Sequence, residues 1–125
     1  MIFRFLKFIP SEYLYRKNSI RDITRDGINY KLDISNIVDH YLYCGAKDTG
    51  YAPIIDVIEK AAIILDICAN SGTTSLFFAN LNSKARIFSF EPHPDTFKRA
   101  QENIRINRFK NAQLINIGLS AKKKP

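Results

Sequence analysis

The chain is short of cysteine, and the two it has, Cys44 and Cys68, lack the spacing of a disulfide framework or a metal site. No metal centre is expected, and a reducing, cytoplasmic setting is the natural one. No run of eighteen apolar residues occurs, so no membrane-spanning helix is predicted. Met1–Pro10 does not read as a signal peptide: Arg4 and Lys7 interrupt its apolar residues, and no small-residue cleavage site follows. No aromatic residues interleave Lys122, Lys123 and Lys124, so that basic end has nothing on which to stack bases.

What is present suits a soluble globular protein. Of 125 residues, 46% are hydrophobic and 25% charged, enough for one small domain with a modest core. The net charge of +7 is unevenly placed. Residues 1–96 hold eleven basic and eleven acidic side chains, whereas 97–125 hold eight basic and one acidic. Lys98, Arg99, Arg105, Arg108 and Lys110 fall on one predicted helix and its exit, which reads as a solvated face. No specific nucleic-acid partner is expected.

Ile2, Phe3, Leu6 and Ile9 recur at helical spacing and predict a short amphipathic helix, packed on the protein or resting on a membrane surface. Asp26-Gly27 sits between two alternating segments and predicts a hairpin with strands near 21–25 and 28–34. Ile28, Tyr30, Leu32 and Ile34 share its apolar face. Ser35 or Asn36 then caps a helix to about Tyr43, and Thr49 or Gly50 opens another to Ala61 with Ile54, Ile55, Val57 and Ile58 as its buried stripe. His40, Tyr41 and Tyr43 invite a substrate-site reading, but no partner for the histidine is in view and core packing or surface exposure is favoured.

The chemistry concentrates in Ile63–Leu76, which reads as a buried strand, a polar turn and the opening of a helix. Such a turn leaves unpaired N–H groups at the positive end of the helix, where a polar or anionic ligand is favoured. Ser71 or Asn70 is the expected N-cap. Gly72 permits close approach, either to a ligand or between helix and strand. A second strand, Arg86–Phe90, ends at Glu91, 25 residues beyond Asp66, near the spacing at which an acid meets ribose hydroxyls in doubly wound folds. Pairing with a lysine is the plainer role for Glu91, but an acid that ends the apolar run Ile87–Phe90 is hard to explain as a core residue, so ribose binding is favoured. His93 and Pro94 open the next helix, to about Asn107, which buries Phe97, Ala100 and Ile104; Ala112–Leu119 reads as a third strand with Asn116 and Gly118 near the ligand end.

Asp66-Ile-Cys-Ala-Asn-Ser-Gly-Thr-Thr-Ser-Leu, Phe88-Ser-Phe-Glu-Pro-His-Pro and Glu102-Asn-Ile-Arg-Ile-Asn107, in that order, resemble the FkbM-type S-adenosylmethionine-dependent methyltransferases. The likeness covers residues 63–120, with a weaker one from about residue 25. The first motif of that family usually reads Asp-x-Gly-Ala-Asn-x-Gly, and Cys68 stands at its first glycine. The resemblance implies S-adenosylmethionine as cofactor and methylation of a hydroxyl on a sugar or small metabolite. It puts Asp66, Cys68, Ala69, Asn70 and Gly72 around the methionine portion, Glu91 on the ribose and Pro92 beside the ring system. Asp66 is expected to position the loop rather than act as the base; no general base is identified. Cys68, without an activating partner, reads as a small buried residue rather than a nucleophile.

The fold class expected is α/β: an incomplete doubly wound, Rossmann-like parallel sheet with an N-terminal helix and β-hairpin extension. Residues 1–48 form the accessory segment and 49–125 the first half of the methyltransferase domain, whose remaining strands are missing. That leaves a second reading, a non-catalytic fragment or module that needs a partner to complete its sheet and self-associates through an unpaired edge. A nicotinamide-dependent oxidoreductase is a third, opposed by Asp66, Cys68, Asn70 and Gly72 standing in place of the G-x-G-x-x-G fingerprint.

Overall fold

The computed structural model describes residues 8–45 and 49–120. Residues 1–7, most of the helix expected over Met1–Pro10, and Lys122, Lys123 and Lys124 lie outside them. The chain divides into two compact units after Ile54.

The first unit is built on the hairpin. Strands β1 (Ile20–Arg25) and β2 (Ile28–Asp33) pair antiparallel with Arg25 opposite Ile28, so Asp26 and Gly27, both at positive φ, make the two-residue turn. Alternation puts Ile28, Tyr30, Leu32 and Ile34 on one face, each at most 6% exposed. Burying each aliphatic side chain of this set contributes about 1.5–3 kcal/mol. The short helix α1 (Ser11–Leu14) is tied in by the Ser11 hydroxyl, which donates to the Ser35 carbonyl at 2.9 Å. Asn36 caps α2 (Ile37–Tyr43), its side chain accepting from the Val38 N–H. Inside α2, Asp39 accepts from the Asp33 N–H at 2.9 Å, locking helix to strand. His40 is fully buried beside Tyr15 and Tyr41, a core residue.

The helix expected from Thr49 to Ala61 is broken. Pro53 lacks an N–H and crowds the preceding turn, so Thr49–Ile54 winds as a 3-10 helix and only α3 (Ile55–Lys60) is α-helical. Its expected apolar stripe is corrected accordingly. Ile58 is buried, but Val57 is 67% exposed and Ile54 is also exposed.

The second unit carries β3 (Ile63–Ile67), α4 (Thr73–Leu81), β4 (Arg86–Phe90), α5 (Pro94–Asn107) and β5 (Ala112–Ile115). The three strands are parallel in the order β3-β4-β5, with Ile64 beside Ile87 and Asp66 beside Ser89. This is one wing of a doubly wound sheet, in chain order outward from β3. Leu76, Phe78, Ala79, Ala85, Ile87 and Ala100 form its core. The third strand stops four residues short of Leu119. The Ile117 N–H turns back to the Ile115 carbonyl at 3.0 Å, and this three-residue turn takes the chain off the ladder.

Candidate functional site

In a parallel sheet every strand ends on the same edge, so β3, β4 and β5 deliver their following residues to one place. After β3 comes the turn Cys68–Gly72; after β4 come Glu91 and Pro92; after β5 comes Asn116. The structure brings these together. Ala69 N–H donates to the Phe90 carbonyl at 2.9 Å, and Glu91 N–H donates to the Ile115 carbonyl at 3.1 Å. The Asn116 amide donates to the carbonyls of Glu91 and Pro92 at 2.8 and 3.2 Å.

Glu91 joins the two loops directly. Its Oε2 accepts from the Asn70 N–H at 2.9 Å and its Oε1 from the His93 N–H at 2.9 Å, while the residue is only 7% exposed. A carboxylate has about four lone-pair positions, so roughly two remain after these bonds. In place of the lysine pairing considered for Glu91, the described residues give it two backbone N–H partners, those of Asn70 and His93.

Asp66 faces the interior from β3. Its Oδ2 accepts from the Ser75 hydroxyl at 2.5 Å, and Ser75 lies 2.8 Å from the Ser89 hydroxyl, so one buried chain links β3, α4 and β4. Burial pushes the Asp66 carboxyl above its ordinary range, and the Ser75 hydrogen bond pulls it partly back. This arrangement anchors the strand end. Neither Ser75 nor Ser89 is evident from sequence as a member of the site; only their period-matched placement opposite Asp66 signals it.

The turn itself is wound in a left-handed alternation: Cys68, Asn70 and Gly72 have φ of 65°, 50° and 81°. Asparagine tolerates this region, and glycine adopts it without steric penalty, but a cysteine Cβ is crowded there. Cys68 is exposed, so its expected burial is corrected: the left-handed backbone turns its side chain away from the core. Gly72, rather than Ser71 or Asn70, is the N-cap of α4, and no side chain caps it. A Cβ on Gly72 would stand 3.2 Å from the Ala100 Cβ and 3.3 Å from its Cα. The space that a side chain on Gly72 would need is taken by Ala100 of α5.

Helix α5 begins as its sequence suggests, with His93 as N-cap and Pro94 in the first turn. Its buried face differs from expectation. Ala100 and Asn103 are fully buried, whereas Phe97 and Ile104 are half-buried. Asn103 donates from Nδ2 to the Ser71 carbonyl at 2.9 Å and so reaches the turn from below. The signal for it was a polar residue three positions after Ala100, on the same helical face.

Pro92 lies exposed beside this junction, and a Cβ on Gly118 would be 3.5 Å from its Cβ. His93 is exposed as well, with Thr96 Oγ1 3.5 Å from its Nδ1. His40, Tyr41 and Tyr43 belong to the first unit. Among the described residues no group of His, Cys, Asp and Glu has the makings of a metal site. None of the described helices is long and apolar enough to cross a membrane.

No family model matches the chain. It is 30% identical over 97 residues to the tRNA(Phe) (4-demethylwyosine(37)-C(7)) aminocarboxypropyltransferase of Pyrococcus horikoshii, covering 78% of this chain and 33% of that protein. It is 40% identical over 52 residues to the 2-O-methyltransferase NoeI of Sinorhizobium fredii, covering 41% of this chain and 21% of that one. The chain thus spans a third or less of the length of these curated relatives. Among solved structures, TYW2 from P. horikoshii in complex with MeSAdo aligns with a TM-score of 0.65 at 26% identity, over 84% of this chain and 38% of that one. TYW2 from M. jannaschii in complex with AdoMet aligns with a TM-score of 0.58 at 19% identity, over 81% and 44%, and shares the fold. The fold is the Rossmann-like α/β fold of these transferases, represented here by three of its parallel strands.

Proposed function

We propose that this chain is the cofactor-binding part of an S-adenosylmethionine-dependent methyltransferase of the FkbM type, whose acceptor is a hydroxyl of a sugar or small metabolite. The observation that carries the reading is Glu91, a carboxylate at the end of β4 held against the turn after β3 by the Asn70 N–H. With lone pairs to spare it suits the two hydroxyls of a ribose, which donate hydrogen bonds. Support comes from the motif order in residues 63–107 and from the 2-O-methyltransferase relative.

S-adenosylmethionine supplies an activated methyl group on a sulfonium, which transfers to oxygen by in-line displacement. The residues of this chain bind and orient. Asp66, Ala69, Asn70 and Gly72 form the wall beside the methionine portion, Asp66 and Gly72 acting through the shape they give the turn. Glu91 holds the ribose, and Pro92 offers an apolar edge to the ring system. Cys68 contributes its backbone and an exposed thiol at the same wall. Bringing donor and acceptor into line is the larger part of the catalytic task, and the acceptor must also lose its hydroxyl proton. The base and the acceptor pocket belong to residues other than these.

A second reading rests on the 97-residue match to an aminocarboxypropyltransferase named for its tRNA(Phe) substrate. It shares the strand-turn-helix wall and differs in the group transferred and its acceptor. Calorimetric titration of the 125-residue chain with S-adenosylmethionine, NAD and NADP tests what both have in common. Saturable binding of S-adenosylmethionine alone is expected, weakened about tenfold or more in Glu91→Ala, the scale of a lost charge-assisted hydrogen bond. Binding of a nicotinamide cofactor instead, or no binding by the folded chain, overturns the proposal.

A further inference from the structure

Asn103 is a fully buried amide on α5, whose other buried residue is Ala100. Burying an amide costs several kcal/mol unless its hydrogen bonds are made, so the position is an expensive place for a residue without a task. Its Nδ2 donates to the Ser71 carbonyl at 2.9 Å, 32 residues away in sequence. One turn earlier on the same face, Ala100 packs on Gly72 so closely that a Cβ there would stand 3.2 Å from the Ala100 Cβ and 3.3 Å from its Cα, tighter than an ordinary contact. Helix α5 therefore seats the turn at two adjacent points, Gly72 against Ala100 and Ser71 against Asn103.

These two contacts act on a single peptide group. In the trans peptide between Ser71 and Gly72, the carbonyl and the N–H point in opposite directions. The carbonyl goes to Asn103, and the Gly72 N–H goes to the Ala69 carbonyl at 2.8 Å, closing the turn. Flipping this peptide breaks both bonds at once. Because Asn70 lies inside the same turn and gives its N–H to Glu91, the orientation imposed by Asn103 reaches the ribose-binding carboxylate as well.

We propose that Asn103 is a positioning residue: it fixes the plane of the Ser71–Gly72 peptide and thereby the shape of the wall that receives the methionine portion of the cofactor. This rests on the reading of the Cys68–Gly72 turn and Glu91 as an S-adenosylmethionine site. Asn103 touches the cofactor nowhere in this proposal; it acts through the turn.

The test compares Asn103→Leu, which keeps the branched shape and heavy-atom count and removes the donor, with Asn82→Ala. Asn82 lies at the opposite end of α4 and donates to the carbonyls of Ile58, Glu59 and Ala61, so its loss lowers stability without touching the turn. Melting temperature, S-adenosylmethionine affinity and amide hydrogen exchange are measured on all three proteins, with the last two at a temperature where each is folded. Asn103→Leu is expected to lose about tenfold or more in affinity and to exchange faster at the Asn70 and Gly72 amides. Asn82→Ala is expected to melt earlier with affinity and those amides unchanged. Affinity in Asn103→Leu within about twofold of the parent, below the loss of one hydrogen bond, overturns the inference. If the parent itself binds no S-adenosylmethionine, the cofactor reading fails; unchanged exchange at Asn70 and Gly72 in the ligand-free variant would then overturn the positioning claim by itself. Should Asn103→Leu not fold, Asn103→Asp, which turns an acceptor toward the Ser71 carbonyl, is read by the same criteria.

Discussion

Cys68 sits at φ 65° with its side chain in solvent, in a conformation that costs an L-residue about 1–2 kcal/mol and glycine almost nothing. The family resembled in sequence has a glycine here, and the left-handed backbone supplies the physical reason. Cys68→Gly relieves the crowding but returns some entropy to the unfolded chain, for a net gain of roughly 0.5–1 kcal/mol. Thermal unfolding should show a rise of a few degrees, and a fall would mean that the thiol contributes a contact worth more than the strain. His40 presents the opposite case, a titratable ring in a rigid place. It is fully buried, Nδ1 and Nε2 have no hydrogen-bond partner among the described residues, and burial lowers its pKa below the ordinary 6.5. The Tyr15 ring packs on its edge, the Tyr41 ring stacks beside it, and Asp39 precedes it with its carboxylate on the Asp33 N–H. Below pH 6.5 the unfolded chain binds a proton that the folded state resists, so stability is present at neutral pH and falls as pH drops toward the depressed value. In His40→Phe that part of the acid sensitivity should vanish from denaturant unfolding curves recorded between neutral pH and the onset of carboxylate titration; an unchanged slope against pH would remove His40 as its source.

Elements with a local cause were legible in the sequence, and those decided by distant contacts were not. Asp26-Gly27 located its hairpin, and Asn36 located the start of α2, because turn and cap chemistry act within a few residues. Asp66 and Glu91 were legible for the same reason: each ends an apolar run. Pro53 was local too, and weighing its missing N–H would have split the helix expected through Ala61. The start of α4 depends instead on Ala100, whose closeness makes Gly72 the cap residue and leaves Ser71 to face α5. The roles of Asn103 and of the Asp66, Ser75 and Ser89 chain exist only once three elements have packed. Asn82 shows how such polar anchors organise an element. Besides closing α3 through three carbonyls, it accepts from the Lys84 and Ala85 N–H groups, so one buried amide ends one helix and shapes the turn into β4.

At the scale of the molecule the sheet is lopsided. Helices α4 and α5 cover the face that carries Ile64, Asp66, Ile87 and Ser89, while Ile63, Leu65 and Ile67 on the other face of β3 are each 57–59% exposed. Among the described residues β3 is also an edge strand, with an unused row of backbone donors and acceptors. The outer pattern is its own complement. Antiparallel pairing of two copies centred on Leu65 sets Leu65 against its counterpart and Ile63 against the other copy's Ile67, apolar pairs that contribute about 0.2–1 kcal/mol each. The net charge of +7 opposes such a dimer, and salt screens that repulsion over a Debye length of about 8 Å at physiological strength. Sedimentation equilibrium should therefore show a mass that rises with protein concentration and rises further with added salt. Leu65→Lys faces two ammonium groups across the pairing axis and should keep the chain monomeric. Because Leu65 is already 59% exposed, that substitution should move the melting temperature little. A chain that stays monomeric at every concentration and salt level would show that the β3 edge does not pair with itself, and would restrict its apolar outer face to contacts within a longer polypeptide or with a different partner.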